Sequence, residues 1–334
     1  MKKSYSRLAA SFGAAAFVLI ALIVNISAQS ALAGNTIYPP SLKPGDKIAI
    51  LAPAGPMKNA PVDSAAKVLD SLGYQAVVMP HTYGKNGHFS GTTDERFADL
   101  KAAFEDTTVR AILCARGGYG VVHNLDRLAQ LPLRDDPKWV IGFSDISALH
   151  ALMASKNIAS IHASMAKQVA LGPDDPDNAV LFGILKGEMP SYTFAPDSLN
   201  HLGKASGKLL GGNLAVIADL IATPFDMFEP NTILFIEDVS EPIYKIERIL
   251  YQLRLMGVFD KINGLIIGQF TDYHPDDNHA TMEQMIADAL EPYPDLPVAF
   301  NIPVGHVDHN VPLVESSQAT LNVTPEYVSL TLSR

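Results

Sequence analysis

Between Leu42 and Ser155, short apolar runs alternate with stretches of helical apolar spacing, and this alternation limits the chain to few folds. Lys47–Ala52 (K-I-A-I-L-A) reads as a strand ending at Pro53-Ala54-Gly55-Pro56, and Val62–Leu72 as a helix that stops at Gly73. Gln75–Met79 is a second strand. The polar loop His81–Thr92, a helix over Thr93–Phe104 and a third strand over Val109–Ala115 follow. Strands alternating with helices predict a parallel sheet covered on both faces, with ligands bound at the carboxyl ends of its strands. Two glycine-bearing segments lie at such ends: Arg116–Gly120 (R-G-G-Y-G) and Ile141–Asp145 (I-G-F-S-D).

The run Lys138–Ile141 reads as a buried strand broken by Gly142, and Ile146–Ser155 as a helix. Ser144 then sits on a sharp strand-to-helix turn, a geometry that suits a nucleophile. The turn lifts Oγ off the sheet, and free amides at the helix start can bind a developing oxyanion. Ser144 and Asp145 equally fit the ordinary role of helix caps. Only part of the hydrolase elbow pattern is present, because Ile146 stands where G-x-S-x-G requires Gly. R-G-G-Y-G lacks the lysine of a P-loop and the spacing of a dinucleotide fingerprint. It is either a glycine turn before the helix Val121–Leu128, or a loop in which Gly117 and Gly118 bring backbone amides to a substrate with Tyr119 as pocket wall.

Past Ile158–His162, a strand, the stretch from Lys186 to Gly207 is broken by Pro190, Pro196 and several Gly and Ser, and reads as a linker. The second half opens with K-L-L-G-G-N-L (Lys208–Leu214). Its strands are T-I-L-F-I (Thr232–Ile236), ending at Glu237-Asp238, and G-L-I-I-G-Q-F (Gly264–Phe270). Ile246–Met256 and Met282–Leu290 are amphipathic helices. Gly305–His309 is a polar turn, and Gln318–Leu332 alternates as a hairpin around Thr324-Pro325-Glu326. The expected layout is an N-terminal α/β domain over residues 34–186, a linker over 187–207 and a C-terminal domain over 208–334.

Residues 1–33 have the features of a signal peptide: Lys2, Lys3 and Arg7, an apolar run through Phe17–Val24, and the small-x-small site Ala31-Leu32-Ala33. The alternative is an uncleaved anchor in the inner membrane. Cleavage leaves 301 of the 334 residues and, with three cations lost, takes the formal charge from −10 to −13. Two domains of ordinary size fit that length. An acidic chain without basic runs argues against nucleic acid or an anionic membrane surface as partner. Cys114, the single cysteine, lies in the apolar run Ala111–Cys114, so an exported chain folds without an internal disulfide.

A serine nucleophile needs a base, and an acid that holds the base's tautomer. There are ten histidines, so position must select. His306 lies on a glycine turn after a strand; His309 is followed by Asn310 and Pro312; His162, at a strand end, is either a competing base or a pocket residue. His81, His88, His274 and His279 fall in polar loops. For the acid, Glu237 ends the most apolar strand of the second half, with Asp238, Glu241 and Glu247 as alternatives. The loop Thr271–His279 has metal-ligand residue types, but its spacing matches neither a calcium loop nor a zinc helix pair, and no metal or other cofactor is expected.

Taken together, R-G-G-Y-G, G-F-S-D, G-K-L-L-G-G-N-L, L-F-I-E-D-V-S-E-P-I-Y-K-I-E-R and P-V-G-H resemble, in order, the motifs of the LD-carboxypeptidases, serine peptidase family S66, a group that includes the microcin-immunity peptidases. The resemblance implies an amidotransferase-like α/β sandwich followed by a smaller β-rich α/β domain, with the site at their interface, and often a homodimer. It implies Ser144 as nucleophile, His306 as base, Glu237 as the orienting acid, and the amides of Gly118 and Asp145 as the oxyanion hole. The implied reaction is release of the terminal D-alanine from murein tetrapeptides, without a metal. For the substrate's free carboxylate, Arg116 is the first candidate and Asn213 the second, with Tyr119 packing on the substrate. The chain departs from the family at His162-Ala163-Ser164, where His-Gly-Pro is common, and in its signal segment, which implies a periplasmic enzyme.

Two rival functions share these features. A microcin-immunity-type peptidase would cut a peptidyl-nucleotide amide and would want an aromatic ring in the pocket loops to stack the base. An exported binding protein would hold a muropeptide or other short peptide without cutting it.

Overall fold

The computed structural model describes residues 35–334; the expected signal segment lies outside the described residues. The first half builds β1 (Lys47–Leu51), α1 (Asn59–Ser71), β2 (Gln75–Val78), α2 (Thr93–Glu105), β3 (Val109–Cys114) and α3 (Leu125–Leu128). It continues through β4 (Trp139–Gly142), α4 (Ser147–Ser155), β5 (Ser160–His162), α5 (Ala166–Val169) and α6 (Pro176–Leu185). Ile48 to Leu51 in β1, and all of β4, are buried, as expected of strands covered on both faces. α2 starts on a capping box: the Thr92 hydroxyl accepts from Glu95 N–H while the Glu95 carboxylate accepts from Thr92 N–H.

These strands form a six-stranded sheet of order β11-β5-β4-β3-β1-β2, in which β11 (Leu313–Glu315) comes from the far end of the chain. β1 to β5 run parallel, and β11 lies antiparallel to β5. In the parallel part the chain goes one way from β1 to β2 and the other way from β1 to β3, a switch of direction whose carboxyl-end side is where sheets of this kind bind ligands. The loops leaving those strands close on each other there, with Gly55 N–H donating to Gly117 O at 2.9 Å.

The second sheet, of order β10-β9-β8-β7-β12-β13-β6, contains β6 (Ser191–Phe194), β7 (Gly203–Asn213), β8 (Thr232–Val239), β9 (Gly264–Thr271), β10 (Val298–Ala299), β12 (Gln318–Val323) and β13 (Val328–Ser333). β7 to β10 are parallel, and β12, β13 and β6 antiparallel. Its helices are α7 (Leu214–Ala218), α8 (Ile243–Leu255) and α9 (Met282–Leu290). α8 buries Ile243, Ile246, Leu250 and Leu253, one stripe at helical spacing.

The structure differs from expectation at 187–207, which is not a free linker. Pro190 and Pro196 bracket β6, an edge strand where proline is tolerated, and β7 begins at Gly203. The hairpin expected near the end of the chain is β12–β13, paired from Gln318↔Ser333 to Val323↔Val328. Thr36–Arg334 form one compact unit, and both large apolar clusters draw side chains from both sheets.

Candidate active site

Ser144 follows the last residue of β4 and an extended Phe143, and has φ 67°, the left-handed region that costs a non-glycine residue about 1–3 kcal/mol. A 3₁₀ turn, Ser144–Ile146, leads from it into α4. The strained turn is held by buried partners. His150 of α4, fully buried, bonds the carbonyl of Gly142 at 2.9 Å through Nε2. A carbonyl only accepts, so Nε2 carries the proton and Nδ1 accepts from Ser160 Oγ at 2.9 Å. Burial lowers the pKa of His150 to about 4, which keeps the ring neutral.

Asp145, also buried, accepts from Val121 N–H at 2.9 Å and so ties the turn to the R-G-G-Y-G loop; burial raises its pKa against the opposing pull of that bond and of Arg96. Gly117 is pressed against the serine. A Cβ there would stand 2.8 Å from Ser144 Cβ, 3.0 Å from its Oγ and 3.3 Å from Asp145 N, so only glycine fits.

Glu237 ends the apolar run of β8 and is fully buried. Its Oε2 accepts from His306 Nδ1 at 2.7 Å. With Nδ1 the donor, Nε2 of His306 holds the lone pair that a base needs. Gly305 (φ 122°) makes room for this pair, since a Cβ there would lie 2.6 Å from Glu237 Oε2. Burial alone would lower the pKa of His306, but the Glu237 hydrogen bond and the charges of Glu237, Asp238 and Asp272 lift it above the ordinary value. Neighbouring Asp238 accepts from Asn213 Nδ2 at 2.9 Å and Ala215 N–H at 2.8 Å, while burial pushes its pKa up to about 6.

A circuit of contacts links the elements that carry the three residues. Three positions past Ser144, Ser147 Oγ accepts from Asn213 N–H at 2.9 Å. Asn213 is the register partner of Glu237 in the parallel pair β7–β8. Glu237 holds His306, whose ring stands edge-on to Phe143, centroids 5.0 Å apart, next to Ser144.

The other expected residues fall variously. Gly118 (φ 114°) lies against Gly55, 3.2 Å from its Cα to a built Cβ. Arg116 is exposed, and its Nη1 donates to Pro56 O at 2.9 Å. Tyr119 is 56 % exposed. Asn213, expected to bind a carboxylate, has its amide engaged within the fold: Oδ1 caps α7 at Val216 N–H while Nδ2 holds Asp238. His162, expected as a competing base or a pocket residue, is instead fully buried between Phe143 and Phe235, ring centroids 5.9 and 5.1 Å away. Pairing of β5 with both β4 and β11 closes it off, and burial drives its pKa far down. His309 pairs with Asp177 Oδ1 at 2.8 Å. Among the described residues no group of three or more His, Cys, Asp or Glu side chains is arranged to hold a metal ion.

Reading by sequence missed His150, Ser147 and the pair Arg96–His123. The available signal for His150 was one polar ring in the otherwise apolar helix S-A-L-H-A-L-M. Nothing local marks Ser147 as a partner of residue 213.

Comparison with known proteins extends this picture. Residues 48–163 match the LD-carboxypeptidase N-terminal domain and residues 206–321 the LD-carboxypeptidase C-terminal domain of peptidase family S66. The Bacillus subtilis protein named "Probable murein peptide carboxypeptidase" is 31 % identical over 292 residues, 85 % of this chain and 91 % of that one. The murein tetrapeptide carboxypeptidase of Pseudomonas aeruginosa is 28 % identical over 285 residues, 79 % and 89 % of the two chains. The crystal structure of muramoyltetrapeptide carboxypeptidase from Oxalobacter formigenes superposes with a TM-score of 0.76 at 25 % identity, covering 86 % of this chain and 99 % of that one. The chain belongs to the LD-carboxypeptidase family S66 and is a serine-type carboxypeptidase.

Proposed function

We propose that this enzyme releases the terminal D-alanine of murein tetrapeptides through a Ser144–His306–Glu237 triad and an acyl-enzyme. The observation that carries the reading is the 2.7 Å bond from His306 Nδ1 to buried Glu237, on a ring packed edge-on against the residue before Ser144. His306 Nε2 takes the Ser144 proton as Oγ attacks the carbonyl of the L-centre. The Gly118 and Asp145 amides hold the oxyanion, where loss of one donor typically costs about 10²–10³ in turnover. His306 then protonates the leaving amine, and water hydrolyses the ester. With the signal segment removed, the reaction takes place in the periplasm.

The test is incubation of the mature protein with tetrapeptide, identifying the released amino acid by mass and chirality. Ser144→Ala is expected to fold and to lose activity; full activity in that variant overturns the triad. An active-site serine phosphonate is expected to label the wild type, whereas a binding protein would remain unlabelled. A peptidyl-nucleotide amide belongs in the same substrate panel, because the exposed ring of Tyr119 offers a surface on which a base could stack.

A further inference from the structure

Tyr119 combines two properties: it is more than half exposed, yet its side chain is held by two neighbours, Phe89 and His123. Its ring is tilted on Phe89, centroids 5.7 Å apart, and edge-on to His123, centroids 5.2 Å apart. Its hydroxyl lies 3.2 Å from His123 Nε2. The other nitrogen of His123, Nδ1, lies 3.2 Å from Arg96 Nη2.

These contacts determine where the protons are. A guanidinium only donates, so His123 Nδ1 accepts from Arg96 and Nε2 carries the ring proton. Nε2–H then donates to the Tyr119 oxygen, which leaves the phenolic proton free for another acceptor. Arg96 is 2 % exposed and anchored by Nη1 bonds to the carbonyls of Gly120 (2.6 Å) and Pro53 (2.9 Å), with its guanidinium 4.9 Å from the Phe89 ring centre. A permanent charge at the head of such a chain polarises each bond along it and makes the last donor stronger.

The loop that carries that donor also touches the Ser144 turn. Tyr119 stands between Gly118 (φ 114°) and Gly120 (φ 125°), in the same loop whose Gly117 is pressed against Ser144 Oγ. Asp145, next to the serine, holds the loop through Val121 N–H at 2.9 Å.

We propose that the Tyr119 hydroxyl, oriented by His123 and Arg96, donates a hydrogen bond to the free carboxylate of the substrate and selects acids over amides. The inference rests on the carboxypeptidase reading above. It assigns substrate contact to Tyr119 and makes His123 and Arg96 positioning residues. Arg116, exposed and bound to Pro56 O, is the competing donor.

The test measures binding rather than turnover. A murein tetrapeptide ending in L-lysyl-D-alanine and its C-terminal carboxamide are titrated by calorimetry into the Ser144→Ala protein, alone and with Tyr119→Phe, His123→Leu or Arg116→Ala added. The acid is expected to bind about tenfold tighter than the amide. Tyr119→Phe, which removes only the hydroxyl, should bring that ratio close to one, and His123→Leu should lower it while both ligands still bind. An unchanged ratio in Tyr119→Phe, a ratio lost only in Arg116→Ala, or no discrimination in the parent overturns the proposal. Failure of the wild type to release D-alanine, measured separately, overturns the triad reading and leaves the binding ratio to decide the role of Tyr119.

Discussion

The ring of His306 stands edge-on to that of Phe143, centroids 5.0 Å apart at 65°, although the two residues lie 163 positions apart in the chain. Phe143 carries Ser144 on one side of the contact, and Glu237 holds the imidazole on the other. The proposed chemistry therefore depends on how well this ring is seated and on its proton.

The pH profile should report that proton. The proposed base, His306, can take a proton only when neutral, and its pKa lies above the ordinary value of about 6.5. The acidic limb of kcat/KM is therefore expected above pH 6.5, with activity rising as pH rises through it. In Glu237→Gln the hydrogen bond and charge that raise the pKa are weakened while burial still lowers it. The limb should move to lower pH and kcat should fall by about 10³–10⁴. A limb that stays in place separates Glu237 from the titrating group.

Gly117→Ala should act on turnover far more than on folding. The new Cβ would crowd Ser144 Oγ at 3.0 Å and displace the hydroxyl from its attacking position. A kcat lower by about 10², with KM little changed, is the expected outcome. Gly45→Ala is the control: its Cβ meets nothing within 4 Å, and its φ of 88° makes it a cost to stability alone.

Removing the hydroxyl of Ser147 tests the link between the two sheets. Ser147→Ala leaves the buried Asn213 N–H without its acceptor, a loss of about 1–3 kcal/mol in chemical denaturation. Because Asn213 and Glu237 are register partners, kcat should fall along with stability. Loss of stability with wild-type kcat would show that the link braces the fold without positioning the acid.

His150→Leu should weaken the fold in a pH-dependent way. The folded ring has its pKa lowered to about 4, against about 6.5 when unfolded. Between these values the unfolded chain binds the extra proton, so the contribution of His150 is complete above pH 6.5 and is lost as pH falls towards 4. The wild type should lose on the order of 3 kcal/mol over that window that the variant does not lose. Denaturation curves at pH 7 and pH 5 are expected to show the gap between the two proteins narrowing in acid.

Local chemistry made much of this molecule legible from residue order. The apolar runs that become β1, β3, β4, β8 and β9 are continuous because both faces of each are covered, and Gly142 and Gly117 stand where backbone must turn or approach closely. Residues 187–207 misled because Pro190 and Pro196 flank β6 without interrupting it, and because β7 runs on through Gly203 and Gly207, paired with β12. His162 misled because a strand end is exposed only if no neighbour covers it, and β11 arrives to do so from 151 residues further on.

Sequence alone determined the alternating architecture and the serine turn, which follow from periodicity and from glycine at a strand end within a short window. For the carboxylate it left Glu237 beside Asp238, Glu241 and Glu247, for the imidazole His306 beside His162, and only the family resemblance chose among them. Only the tertiary structure decided that Glu237 meets His306, that the Asn213 amide bonds Asp238 and Val216, and that Arg96, His123 and Tyr119 form one chain of contacts. Those outcomes depend on pairing across tens to hundreds of residues, where register and burial choose the partner and no local pattern records the choice.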